Sequence, residues 1–234
     1  MSNFAAPPME TIRVGFIGVG NRGLTAVKRV SGLPGIEVAA LGDVQDVQVE
    51  AARQAVRDAG RPGACHAFSG SAESWKGVCD DSGVDVVYIA SPAMLHAEMA
   101  LYALRAGKHV LVEVPGAQTV DEAWEIVETC EKARRHCMML ENCCYGEMEM
   151  LAREKGGHGG MDYIMDLRWC HCLHKGLPLD MDVYDLASWS SVVPCSAASD
   201  RQGGVPIELP DFTRGAWRTA HPADIGDVDP QSMD

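Results

Sequence analysis

Positive charge is scarce in this chain. Its 234 residues hold 20 Lys and Arg against 33 Asp and Glu, a formal net charge of −13. Nucleic acids and anionic membranes attract basic surfaces, so neither is expected as a partner. Long apolar runs are missing too, and nothing approaches the ~20 residues that a membrane-crossing helix needs. Residues Met1 to Thr11 carry no basic region, apolar segment or twin arginine, so no export signal is expected and the cytoplasm is the expected compartment. Internal repeats are absent. The nine cysteines are odd in number and scattered, which reads as reduced thiols rather than a disulfide framework. With 47% hydrophobic and 23% charged residues the chain can bury a core, and its length suits one large or two small domains.

The positive signal is local. Val14-Gly15-Phe16-Ile17-Gly18-Val19-Gly20-Asn21-Arg22-Gly23 sets a glycine fingerprint directly on an apolar run. In this pattern Gly18 permits the tight turn out of a strand, Gly20 lets backbone approach a pyrophosphate, and Gly23 lets the next helix pack closely. The helix that opens there points its N–H groups and dipole at the phosphates. Asp43 lies twenty residues past Gly23, at the end of the next apolar run, where a carboxylate accepts from an adenosine ribose. It would repel a 2′-phosphate, and Val44-Gln45-Asp46 offer no arginine in compensation, so the expected coenzyme is NAD rather than NADP.

Residues 12–140 alternate strand and helix. Strands are expected at Ile12–Ile17, Ile36–Leu41, Ala64–Phe68, Val84–Ala90, Val110–Glu113 and Cys137–Leu140. Helices are expected at Leu24–Leu33, Val47–Ala59, Ser71–Asp80, Met94–Ala106, and after the capping box Thr119-Val120-Asp121-Glu122. The fold class is α/β, a doubly wound parallel Rossmann sheet of about six strands with right-handed crossovers. Beyond residue 141 the rhythm stops, and the pattern suggests helices at Glu147–Lys155, Met161–His174 and Val183–Ser191, with Pro178 and Pro194 as breakers. Val205–Thr213 reads as an extended segment, and residues 220–234, with four aspartates and no Lys or Arg, as a disordered tail. This divides the chain into an NAD-binding domain (1–142), a truncated, mainly helical remnant of an α+β substrate domain (143–219) and the tail.

Several motifs together resemble the Gfo/Idh/MocA family of NAD(P)-dependent sugar oxidoreductases: the fingerprint, Asp43, Ser91-Pro92 with His96 four residues on, Glu113-Val114-Pro115 and Glu141-Asn142. Longer strings are similar to one branch, glycoside hydrolase family 109, typified by α-N-acetylgalactosaminidases. They are Cys137–Tyr145, Gly156-Gly157-His158-Gly159-Gly160-Met161-Asp162, Gly176–Asp185 and Ile207–Thr213. The resemblance implies a coenzyme site of Gly18, Gly20, Asn21, Arg22, Gly23, Asp43, Ser91, Pro92, Ala93, His96, Glu113, Val114 and Asn142, with His158 and Asp162 toward the substrate. It implies a sugar or glycoside substrate and a redox-neutral glycosidase cycle: hydride leaves C3 for tightly held NAD⁺, C2 loses a proton, the C1 substituent departs, water adds and the hydride returns. Most dehydrogenases of the superfamily have a catalytic lysine where Val114 stands, and valine carries no proton. In the branch, the segments around Glu141–Tyr145 and His158 are separated by most of the substrate domain, with its acid–base tyrosine and histidine; here Glu147–Lys155 joins them. No residue of this chain matches those catalytic positions. Ala93 also departs from the branch, which usually has tryptophan there.

Other readings compete at single residues. Cys170-His171-Cys172-Leu173-His174 invites zinc, but on a helix Cys172 points away from Cys170 and His174, so helix packing is preferred and no metal is expected. His158 suits either a sugar contact or a flexible connector. His96 suits either fixing the coenzyme loop or a polar position on its helix; the resemblance favours the former. Cys143-Cys144 lacks CxxC spacing, which argues against redox chemistry. Three functions remain: an NAD-dependent glycosidase by descent, impaired by its missing region; an NAD-dependent sugar dehydrogenase; and a non-catalytic NAD-binding module. Apolar surface left by the missing sheet is expected to promote self-association into a homo-oligomer.

Overall fold

The structure is a computed structural model that describes residues 4–61, 65–148 and 158–220. Its centre is a six-stranded parallel sheet of order β3-β2-β1-β4-β5-β6. The strands are β1 (Ile12–Ile17), β2 (Ile36–Gly42), β3 (His66–Phe68), β4 (Val86–Ile89), β5 (His109–Val112) and β6 (Cys137–Met139). Val14 pairs with Val38 on one side and Val86 on the other. β4 and β5 are buried at every position, as a strand covered on both faces requires.

Helices α1 (Asn21–Val30), α2 (Asp46–Asp58), α3 (Ser74–Asp80), α4 (His96–Arg105) and α5 (Val120–Ala133) connect them. The strands and helices expected over residues 12–140 are all present, with ends shifted by a few residues. α1 begins at Asn21 rather than Leu24, because the glycine turn feeds the helix directly. The capping box forms as read: Thr119 Oγ1 accepts from the Glu122 amide, and the Glu122 carboxylate accepts from the Thr119 amide.

Two helices follow, α6 (Met161–Lys175) and α7 (Val183–Arg201), and they lie on opposite faces of the sheet. α6 joins α1 and α2, burying Ile164, Leu167, Trp169 and Leu173 with Phe16 and Tyr88. α7 joins α3, α4 and α5, burying Val183 and Leu186 with Ile126 and Met139; Phe212, from the segment beyond it, packs there too. Residues 158–219 therefore complete the core on both faces. Large apolar side chains are exposed on the outer side of α7 and beyond it, at Trp189, Val192, Val193, Val205, Leu209 and Trp217, and also at Val44, Val47, Met94, Val114 and Leu177.

One expectation is corrected: Pro194 does not end its helix. α7 runs ten residues past Ser191, with Pro194 inside. The proline removes one ladder donor, and packing of the buried α7 residues against α5 and β6 outweighs that local cost. The helix expected at Glu147–Lys155 falls mostly outside the described residues; what is described there, Asn142–Met148, is 3₁₀. Residues 205–211 form no regular element, and the acidic tail beyond Ala220 lies outside the described residues.

Candidate functional site

The site is built at the carboxyl edge of the sheet, where α/β proteins bind ligands. β1 ends in Gly18, whose φ of +78° belongs to glycine, and the chain turns straight into α1. A β-carbon on Gly23 would stand 1.9 Å from the Gly18 carbonyl oxygen, so the helix can sit this close only without one. At Gly20 an added β-carbon meets nothing within 4 Å: that side of the loop is open. No side chain caps α1 and its first turn has no acid, which leaves its positive end available to an anion.

Asp43 follows β2 and closes on the same loop. Its Oδ2 accepts from the Val19 amide at 2.9 Å and its Oδ1 from the Gln45 amide at 3.0 Å. Each carboxylate oxygen keeps a lone pair for a ribose hydroxyl. On the other side of β1, the loop after β4 presents Ser91, whose hydroxyl is buried and has no hydrogen-bond partner among the described residues. These features fit a dinucleotide: an open amide cradle, a carboxylate beside it and an unsatisfied hydroxyl across the edge.

His96 stands behind that edge. It is 1% exposed, with Nδ1 2.8 Å from the Pro115 carbonyl oxygen and Nε2 2.8 Å from that of Ser91. It ties the loops after β4 and β5 together. Ala93 opens a 3₁₀ turn beside Pro92, and Val114 is exposed in the neighbouring loop. Asn21 is exposed at the start of α1.

A third element reaches the site from far along the chain. Arg22 donates from Nε to Glu113 at 2.7 Å and from Nη1 to Asp162 at 2.9 Å. Asn142 donates to Asp162 at 2.7 Å and lies 2.8 Å from His158 Nδ1, which is itself 3.2 Å from Asp162. Arg22, Glu113, Asn142, His158 and Asp162, each expected from the sequence, thus form one constellation, with the His158 ring largely exposed.

Beneath it lies a layer that sequence reasoning missed. Arg29 donates to Asp166 at 2.9 Å and lies 3.5 Å from Asp162, while the Tyr88 hydroxyl reaches Glu113 at 3.3 Å. Burial pushes Asp166 up to about 6, against the pull of Arg29. Asp162 is also desolvated, but Arg22 and Arg29 hold it below the ordinary carboxylate range. Burial works against the Arg22 charge as well, and Glu113 and Asp162 outweigh it to raise its pKa. The one sequence signal for this layer was Asp162 and Asp166 one turn apart on a largely apolar helix.

The cysteine–histidine segment is occupied with loop contacts. His174 approaches the Met9 and Pro34 carbonyls, Cys170 faces the Pro34 carbonyl, and Cys172 lies on the side of Asp180. Burial raises the Cys170 and Cys172 thiols to about 12.

The sheet order, the glycine turn and the acid after β2 define a nucleotide-binding Rossmann protein. Residues 12–141 match the oxidoreductase family with an NAD-binding Rossmann fold, Gfo/Idh/MocA, and its coenzyme is NAD. Residues 103–219 match the glycosyl hydrolase 109 C-terminal domain, and the chain belongs to that family within the Gfo/Idh/MocA oxidoreductases.

Among its relatives is glycosyl hydrolase family 109 protein 1 of Bacteroides thetaiotaomicron, 26% identical over 405 positions that span 90% of this chain and 86% of the relative. Another is the alpha-N-acetylgalactosaminidase of Bacteroides fragilis, 24% identical across 96% of this chain and 97% of the relative. An alignment of 405 positions exceeds a 234-residue chain, so more than a third of it has no residue here. Similar solved structures include a 3-ketoreductase from Actinomadura kijaniata in complex with NADP, at TM-score 0.50 and 26% identity, covering 62% of this chain and 43% of that one. A Klebsiella pneumoniae structure assigned as an oxidoreductase matches at TM-score 0.50 and 27% identity, covering 62% and 39%. The chain spans about two fifths of these structures. Among the described residues no helix is long and apolar enough to cross a membrane.

Proposed function

We propose that this chain is an NAD-binding protein of the family 109 glycosidase line that holds coenzyme and contacts a sugar or glycoside, but is impaired in sugar release. The observation that carries this reading is the clamp from Arg22 in the glycine loop to Asp162 on α6, which puts His158 and Asn142 beside the coenzyme edge. Bound NAD would supply reversible hydride acceptance from a sugar carbon. The Gly20–Arg22 backbone and the α1 dipole would hold the pyrophosphate, Asp43 the adenosine ribose, and Ser91 and Glu113 the opposite half. His158 and Asp162 would meet the substrate hydroxyls. Val114 offers no proton acceptor, which argues against an ordinary sugar dehydrogenase. Many of the relatives' positions have no counterpart in this chain, which favours the impaired reading, with residues 143–219 as the remnant of a substrate domain.

Purified protein should bind NAD⁺ yet release no aglycone from a chromogenic α-N-acetylgalactosaminide. Measurable release that is lost on Asp43→Lys would overturn the impaired reading, and steady NADH accumulation with a free sugar would favour a dehydrogenase. The net charge of −13 disfavours nucleic acid and anionic membrane as partners, and the exposed face of α7 supports self-association.

A further inference from the structure

Among the described residues, the arginines and carboxylates beneath the coenzyme edge do not balance in charge. Two guanidiniums, Arg22 and Arg29, face three carboxylates, Glu113, Asp162 and Asp166. Asp162 and Asp166 are 1% and 0% exposed, and Glu113 is little more accessible at 14%. Arg29 bonds Asp166 through Nε alone; its other two nitrogens are buried with no hydrogen-bond partner among the described residues, although Nη1 lies 3.5 Å from Asp162. One excess negative charge in a buried, weakly screened place is costly unless a cation comes near it.

The topology says which part of a dinucleotide approaches. Asp43 follows β2, so the adenosine half lies on that side of β1, with the pyrophosphate over α1. The other half must extend in the opposite direction, over the ends of β4 and β5. Glu113 is the residue that leaves β5, and its carboxylate takes Arg22 and the Tyr88 hydroxyl. The nicotinamide ring is cationic when oxidised and neutral when reduced.

We propose that the Arg22–Arg29–Glu113–Asp162–Asp166 cluster makes this chain select the oxidised coenzyme, its excess carboxylate acting as counter-charge to the nicotinamide ring. Glu113 and Asp166 are then positioning residues for the redox state of the ligand as well as parts of the fold. A cycle that begins and ends with NAD⁺ gains from such a bias, because the resting protein stays loaded in the competent form. The inference rests on the coenzyme site and not on the glycosidase reading.

The test is calorimetric titration of the full chain with NAD⁺ and with NADH, at pH 8 so that ordinary imidazoles are neutral. NAD⁺ should bind roughly tenfold tighter than NADH, the scale of one unit charge acting through a protein interior. Glu113→Gln should bring the ratio toward unity, and Asp166→Asn should do the same if Glu113→Gln fails to fold. Arg22→Gln should move it the other way, even if both affinities fall. A purely structural role would weaken both forms equally and leave the ratio unchanged. Equal affinities in the unaltered protein, or a ratio that ignores all three substitutions, would overturn the inference while leaving the coenzyme site intact. Failure to bind either form would overturn the site itself.

Discussion

Asp162 shows how much one buried carboxylate can hold. It accepts from Arg22 and Asn142 and lies within ion-pair reach of Arg29 and His158. Truncation would leave Arg22 with Glu113 alone and Arg29 with Asp166 alone, and would take an acceptor from the buried Asn142 amide. Asp162→Ala should therefore cost about 3 kcal/mol of stability, read as a lower urea midpoint at unchanged slope. A shift within experimental error would show that the clamp is incidental.

His109 and His136 carry the acid sensitivity. Burial pushes His109 down to about 3, helped by the neighbouring His136, and pushes His136 down to about 4. Both rings accept as neutral groups: the His136 amide donates to His109 Nδ1 and the Ala6 amide to His136 Nε2. The unfolded chain takes up these protons near pH 6.5, before the native state does. Their contribution is thus complete above pH 6.5 and shrinks as pH falls toward 4, by roughly 1 kcal/mol per pH unit for each ring. Asp166 and Asp182, both raised to about 6 by burial, act with opposite sign, since their native forms bind protons more readily and lose stability as pH rises through 6. Comparing proteins removes that term: His136→Gln should lose less stability than the unaltered chain between pH 7 and 5, by urea unfolding. An equal loss would assign the acid sensitivity elsewhere.

Among the elements, α7 is the one whose local sequence and observed state conflict. Pro194 lacks the N–H that would bond the Ser190 carbonyl, yet the helix continues to Arg201. Pro194→Ala should raise the melting temperature, by about 1 kcal/mol in stability, because the missing donor is restored without disturbing the buried face. A lower melting temperature would mean that the packing of α7 depends on the proline. This conflict also marks the limit of sequence reading. The glycine turn, Asp43 and the Thr119 capping box were legible because their constraints are steric or confined to a few neighbouring residues. The extent of α7 was not, since it is decided by packing on α5 and β6. Arg29 and Asp166 escaped notice for a related reason: their bond joins residues 137 positions apart, and nothing in either segment announces the other.

At the scale of the molecule, the two C-terminal helices close the sheet on both faces, so the apolar surface expected over an uncovered sheet is found elsewhere. Trp189, Val192 and Val193 stand exposed on α7, with Leu209 and Trp217 beyond it. Such a patch favours association. Light scattering should give a mass above the 25.2 kDa of one chain, and Val193→Lys should reduce it. A monomer that binds no apolar dye would contradict this.

The whole account depends on a dinucleotide resting between the turn at Gly18 and the carboxylate of Asp43. Calorimetry of folded protein with NAD⁺ tests this most directly. Saturable binding is expected, weakened by about 100-fold in Asp43→Lys, where hydrogen bonds to a charged acceptor are lost. Absence of binding heat at several temperatures, from protein whose circular dichroism shows it folded, would contradict it.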